Sequence, residues 1–456
     1  MITRIRIRIR IRIRIRIRSR RCRCNHREAS PVRRYYMLLL LIVINVLSYV
    51  DRHMLPAFAS EITADLELSR QQFGLLTGFA FVTVYALSGP LMGVLADRFN
   101  PSKVIACGIL LWSAMTFFTG LAKNFIHLLL PRMAIGVGEA TLHPAAAGII
   151  ANLFSHGQRA TVFGLFFMGS QIGLGLAYWL AGSVGADIGW RNMFLLLGAL
   201  GVLCSLLLLP FFSLTRKEPV VRAHAETTAG PTVKAVLGEL WATFTGNANF
   251  RNAVIGMSLL HMLYAATQFM QLWLVADKGI AESDASSLYG SIFLLTAIPA
   301  SLLGGMASDW FCRRFASTRA LFVLLVVLLS APLLIMFRLL PADSPLFLVG
   351  MGASVFMLAF PYGAMFSLVL DTAPRSIQST ATGFTMFIAN VLVIGTGTFA
   401  IGFVADALET QGFAKPLTAA LLGADAITLL ALFFYLRLHL ATRKQCVPEV
   451  PSVGAA

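Results

Sequence analysis

Apolar stretches of about 20 residues recur along almost the whole chain, and each is long enough to cross a hydrocarbon core about 30 Å thick. In lipid a backbone must satisfy its own polar groups, so segments of this length and continuity read as helices and not as barrel strands. Composition agrees: 57% of the 456 residues are hydrophobic and 13% are charged, too apolar for a soluble globular domain. Spans are expected near residues 36–58, 74–96, 104–121, 126–153, 161–184 and 192–212. A second set is expected near 251–276, 288–307, 319–340, 345–370, 379–405 and 416–437. The fold class is therefore an all-α integral membrane protein of twelve transmembrane helices in two groups of six. The longest polar connection, Ser213 to Thr232, separates the groups. The expected divisions are a disordered tail (1–34), an N-terminal six-helix bundle (35–212), a cytoplasmic linker (213–250), a C-terminal six-helix bundle (251–440) and a short cytoplasmic tail (441–456).

The net charge of +16 suggests a nucleic-acid partner until it is located. Residues 1–34 hold 14 arginines against one glutamate. Of the 23 Lys and Arg beyond the tail, counting those at span ends with the adjoining connection, 15 fall in even-numbered connections and the C-terminus, 6 in odd-numbered connections and 2 inside spans. The positive-inside rule then places both termini in the cytoplasm, the inner face of a cell membrane. Basic charge sets topology, and no nucleic-acid partner is implied. The tail "RIRIRIRIRIRIRIR" is low-complexity sequence, expected to be disordered or even untranslated, with anionic-lipid binding as the alternative. Six scattered cysteines give no disulfide framework, and Cys22-x-Cys24-x-His26 is a poor zinc set in such a tail; neither metal nor cofactor is expected.

Polar residues inside spans mark function or helix fastening. In the first span Asn45, Ser48, Tyr49 and Arg52 form one stripe, with Asp51 at its edge and His53 beside it. The fourth carries Arg132, Gly136, Glu139 and His143, and the seventh His261, Tyr264, Gln268 and Gln271. At 1.5 Å per residue, Asp51 lies roughly 22 Å in from one face and Arg132 roughly 9 Å in from the other, which is about the same level. Asp51, Arg52, Arg132 and Glu139 are therefore expected to form one buried charge cluster on a cavity wall. Pairing with arginine would keep the carboxylates ionised, and desolvation as the cavity changes would make them take a proton. The alternative is that these pairs only fasten helices. Asp425, in the last span, has no evident partner in the sequence.

The halves also repeat. "GVLADRF", Gly93 to Phe99, and "GMASDWF", Gly305 to Phe311, share Gly, a small residue, Asp and Phe at matching offsets, and the fourth helix of each half holds an interior proline, Pro144 and Pro361. "GVLADRFNPSK" resembles the cytoplasmic signature loop of the major facilitator superfamily. "LPRMAIGVGEATLHPAAAGIIANLF", "GWRNMF", "YVDRHMLPAF" and "FIANVLVIGTGTFAIGFVADAL" resemble its spinster-like branch. The resemblance covers residues 36–440. It implies two pseudo-symmetric bundles around a central cavity that opens alternately to each side. It further implies proton coupling and substrate binding at Asp51, Glu139 and Arg132; the polar stripes add Arg52, Asn45, Tyr49, His261, Tyr264 and Gln268 as residues expected to face substrate. It implies a conformational latch at Gly93, Asp97 and Arg98, with Asp309 as counterpart and Arg313 and Arg314 supplying positive charge.

Two departures matter. The loop continues Asn100-Pro101-Ser102-Lys103 where the superfamily has Gly and two basic residues, and the fifth helix lacks the proline of drug antiporters. The expected function is a proton-coupled secondary transporter of an anionic amphiphile such as a lysophospholipid or sphingoid phosphate, working as a monomer among membrane lipids. A proton symporter of small organic anions is the alternative within transport. A membrane-embedded enzyme or receptor is disfavoured, since the chain contains no Gly-x-Ser-x-Gly, His-Glu-x-x-His or phosphate-loop pattern.

Overall fold

The computed structural model describes residues 31–154, 156–209, 233–374 and 377–443. The arginine–isoleucine tail, the Cys22/Cys24/His26 group, the linker up to Thr232, the residues after Arg443 and the side chain of Asp97 lie outside the described residues. Among the described residues there is no strand, and eleven helices are long and apolar enough to cross a membrane. They are α1 (Val32–Ala57), α2 (Arg70–Ala96), α3 (Pro101–Gly120), α4 (Phe125–Ile150), α5 (Val162–Gly182) and α6 (Val184–Leu207), followed after α7 by α8 (Glu282–Phe315), α9 (Arg319–Leu339), α10 (Pro345–Thr372), α11 (Thr380–Thr410) and α12 (Pro416–Thr442). The twelfth span, α7, is a bent pair, Ala248–Thr267 and Met270–Ala276, that meets at 51°.

Helix starts follow short-range chemistry. Ser69 and Gln72 form a capping box at the head of α2, so two otherwise unpaired backbone N–H groups find partners. Asn100, Asn124 and Thr318 cap α3, α4 and α9 by single side-chain bonds, and Asn247 caps α7 by two. Both interior prolines singled out in the repeats sit at breaks. The helical run of α4 stops at Glu139 and resumes at Leu142, just ahead of Pro144. That of α10 stops at Ala359 and resumes at Tyr362, across Pro361. The same helix of each half is thus interrupted at the same relative place, which is the internal symmetry seen as structure.

Two spans differ from expectation. α6 begins at Val184, not near 192, because the chain enters helically, breaks at Gly189 with φ of 78°, and then continues. That turn sends Trp190 and Arg191 to the same carboxylate, Asp65 (Trp190 Nε1 to Oδ2, 3.1 Å), which ties α6 to the short helix Ala59–Asp65. α8 runs 34 residues, far beyond the expected 288–307. At 1.5 Å per residue it is about 50 Å long and overshoots the hydrocarbon.

An even number of spans, twelve with the bent α7 counted as one, brings both described chain ends to one face, here called the tail side; the other is the far side. The two halves meet along α5–α8 and α2–α11. At the α5–α8 seam, Tyr178 donates to the Thr267 carbonyl at 2.7 Å and packs on Tyr289 with ring centroids 4.8 Å apart. A Cβ on Gly290 would sit 2.3 Å from the Trp179 backbone nitrogen, closer than any side chain tolerates. Gly290→Val is therefore expected to hold the halves apart there. A cysteine placed at Ser286, buried in the wild type, should then react with a membrane-impermeant maleimide added from the far side.

Further cross-bonds gather on the same side. Ser286 Oγ donates to the Ala57 carbonyl at 2.7 Å. The backbone N–H groups of Arg70 and Gln71 donate to Asp406 at 3.2 and 2.8 Å, and the Arg70 guanidinium pairs with Glu409. A fourth group, around Ser60, is described below.

A buried charge cluster as candidate functional site

The four ionisable residues singled out on α1 and α4 converge. Arg52 donates to Glu139 Oε2 twice, from Nε at 3.0 Å and from Nη2 at 2.6 Å. Its guanidinium lies 4.7–4.8 Å from the rings of Tyr49, Phe81 and Tyr85, an arrangement that favours cation–π attraction. The Arg52 side chain keeps 17% of its surface open, whereas that of Glu139 keeps none. The Arg52 end of the pair is thus partly open and the Glu139 end is sealed.

Arg132 is fixed by a backbone defect. Pro56 lies inside α1, and with no N–H it cannot bond the carbonyl four residues earlier, that of Arg52. Arg132 Nη2 takes that carbonyl at 2.6 Å, and its guanidinium rests 4.7 Å from the Phe81 ring. Arg132 Nε and Glu139 Oε1 remain buried without a hydrogen-bond partner. Two strong hydrogen-bonding positions are left unused at the cluster.

Asp51 behaves differently from the expected arginine pair. It is 2% exposed, and its carboxylate oxygens stand 2.8 and 2.9 Å from the Thr116 hydroxyl on α3. That hydroxyl is also 2.9 Å from the Trp112 carbonyl. Among the described residues no cation lies within ion-pair distance of Asp51. The reason is helical geometry: adjacent residues point about 100° apart, so Arg52 faces α4 while Asp51 faces α3.

The remaining candidates separate into groups. Asn45 is fully buried and fastens α1 to α5, donating to the Phe166 carbonyl at 2.7 Å. Tyr49 supports Arg52 and stacks on His53. Tyr85 and His143 share a 3.1 Å hydrogen bond beside it. Across the seam, His261 bonds the Met257 carbonyl at 2.8 Å and packs against Tyr264 and Tyr362. Gln268 is buried where α7 bends. Gln271 reaches the far-side interface instead of the chamber.

Of the expected latch residues, Asp97 has its side chain outside the described residues. Arg98 is exposed and has no partner among the described residues. Asp309 bonds Arg319 at 3.0 Å, and Arg319 also holds Asp371 at 2.8 Å, so this network ties α8, α9 and α10 within one half. Arg313 and Arg314 are not its partners. A Cβ on Gly93 would meet Pro144 at 3.8 Å, an ordinary contact, so close approach does not require glycine there.

The second half holds a buried pair that the sequence did not reveal. Arg338 Nε donates to Asp425 Oδ2 at 2.9 Å, with both side chains 1% exposed. This supplies the partner missing for Asp425. Lys278 Nζ donates to the carbonyls of Arg338 and Leu340 at 2.7 and 2.6 Å, capping the end of α9. Arg338 also lies 4.9 Å from the Trp273 ring.

Two helical halves, joined on one side and burying charge within their spans, have the architecture of a membrane carrier. The chain belongs to the Major Facilitator Superfamily, whose family model matches residues 41–398. It is 27% identical over 402 residues to an MFS-type efflux pump of Mycolicibacterium smegmatis, covering 86% of this chain and 89% of that one. It is 26% identical over 383 residues to the sphingosine-1-phosphate transporter SPNS2 of Xenopus tropicalis, covering 81% and 73%. It superposes with a TM-score of 0.76, at 25% identity and covering 91% and 98% of the chains, on the crystal structure of a bacterial homolog of the human lysosomal transporter spinster in an inward-facing, unoccupied conformation. The spinster-like resemblance therefore holds in sequence and in fold.

Proposed function

We propose that this protein is a proton-coupled secondary transporter that moves an anionic amphiphile by alternating access, with its tail side in the cytoplasm. The observation that carries the reading is the cluster itself: Arg52 and Glu139 paired at an open wall, with Arg132 and Asp51 buried behind them. Two guanidinium groups suit a phosphate or carboxylate head group. A partly filled set of hydrogen-bonding positions in low dielectric can exchange one partner for another at modest cost, whereas an isolated charge there could not persist. The likeness to SPNS2 supports a lipid-like substrate, and the likeness to an efflux pump supports outward movement.

The conformation also fits. Bonds between the halves gather on the far side, which suits a central space open toward the tail side, the side on which basic charge concentrates. Residues 35–212 and 251–440 act in this reading as the two rocking bundles, in a monomer.

The test is flux into proteoliposomes under an imposed pH gradient, with a fluorescent lysophospholipid, a sphingoid phosphate and a small dicarboxylate offered in turn. Gradient-dependent movement of the lysolipid or sphingoid phosphate is the expected result. Movement of the dicarboxylate alone would transfer the assignment to small organic anions.

A further inference from the structure

Ser60 stands where the short helix Ala59–Asp65 of the first half meets α7 and α8 of the second, and its hydroxyl has more neighbours than its one hydrogen can serve. Gln271 is oriented unambiguously: its Oε1 accepts from the Ser60 backbone N–H at 2.8 Å, so its Nε2 must face the Ser60 hydroxyl at 2.8 Å and Glu61 Oε2 at 3.2 Å. The two amide hydrogens are thereby spent. The same hydroxyl lies 2.9 Å from Glu282 Oε1 and 3.2 Å from Glu61 Oε2. A serine hydroxyl donates once. With both glutamates ionised, one of these two close oxygen–oxygen contacts has no hydrogen in it and is repulsive.

We propose that Glu61 and Glu282 share one proton when the far side is closed, and that this proton is a structural part of the closure between the two halves. The added hydrogen completes the bonding around Ser60, with one glutamate accepting from the hydroxyl and the other donating to it. Loss of the proton places two carboxylates against one hydroxyl and pushes α8 from the short helix.

The surroundings offer no cation to relieve that repulsion. On the short helix, Asp65 is held by Arg191 and Trp190 of α6. Arg70, at the head of α2, is held by Asp406 and Glu409. From α7 come neutral Gln271, Asp277 bonded to Thr418, and Lys278 turned to backbone carbonyls. α8 brings Glu282 and, two residues on, Asp284; α1 contributes the Ala57 carbonyl, which accepts from Ser286. Burial pushes the Glu61 carboxyl up to about 7, and neighbouring Glu282 adds to the effect.

The sign follows. The closed state binds the proton more tightly than the separated state, in which Glu61 loses its burial and returns to the ordinary carboxylate range. Closure is fully supported below that range and is lost as the pH rises through about 7. In the window between, the closed-to-open ratio falls by up to about tenfold per pH unit.

The full chain in nanodiscs, with native cysteines replaced and nitroxides at Lys123→Cys and Asp343→Cys, reads the far-side separation by pulsed electron resonance. It needs neither substrate nor gradient, so its outcome is independent of the flux assay. The expected result is a short distance at pH 5 that gives way to a longer one by pH 8. Glu282→Gln, at an exposed position, supplies a permanent hydrogen and should keep the short distance at pH 8; Glu61→Gln should act in the same direction. A wild-type distance that stays constant from pH 5 to 8, or a Glu282→Gln protein that opens with the wild-type midpoint, overturns the proposal.

Discussion

Asp51→Asn is expected to abolish uphill transport while leaving downhill exchange of substrate. One coupled proton and a gradient of about two pH units can sustain about a hundredfold accumulation, since each unit is worth about 1.4 kcal/mol. Asparagine is nearly isosteric with aspartate, so it keeps a partner for the Thr116 hydroxyl on α3, but it carries no exchangeable charge. The concentration ratio across the vesicle should then fall to about one. Glu139→Gln should do the same and in addition loosen Arg52, whose only ion pair among the described residues is with that carboxylate. The measurement is steady-state accumulation against entrance counterflow in the same vesicles. If both variants still concentrate substrate to the wild-type level, the proton-coupling assignment fails and the cluster becomes a helix fastener.

Arg338→Ala should have the largest effect on stability. It strands Asp425, 1% exposed and already short of a partner at Oδ1, without its only cation among the described residues. Removing one member of a buried pair typically costs about 3–5 kcal/mol, whereas replacing both by apolar residues of similar volume is often neutral. Arg338→Met combined with Asp425→Leu should therefore recover most of the loss in detergent thermal stability. If the double variant is as unstable as the single one, the damage lies in the contact with Trp273 or the α9 end and not in uncompensated charge.

The positions of the spans were legible because hydrophobic length is set by the membrane, and the charge cluster was legible because arginine and glutamate inside such spans have few other uses. What escaped had weaker signals. Thr116 is one of three hydroxyl residues, with Ser113 and Thr119, near the end of α3, and nothing in the sequence marks it as the partner of Asp51. Pro56 did carry a signal, four residues after Arg52, and the carbonyl it frees is the one Arg132 occupies. Arg338 sits so near the end of α9 that it reads as a loop residue, which is why Asp425 looked unpartnered. The bend of α7 at Gln268 and Phe269 contains neither proline nor glycine, so no residue in the sequence marks it. Gln271 shares a helical stripe with His261 and Tyr264 but, beyond that bend, serves the far-side closure.

The Arg338–Asp425 pair also bears on how the chain is made. α9 leaves the ribosome well before α12, so its arginine waits in or beside the bilayer until the final helix arrives with the matching acid. A chain cut short before Pro416 would keep that charge exposed to lipid or to the insertion machinery, a mark by which quality control could tell an unfinished molecule from a complete one.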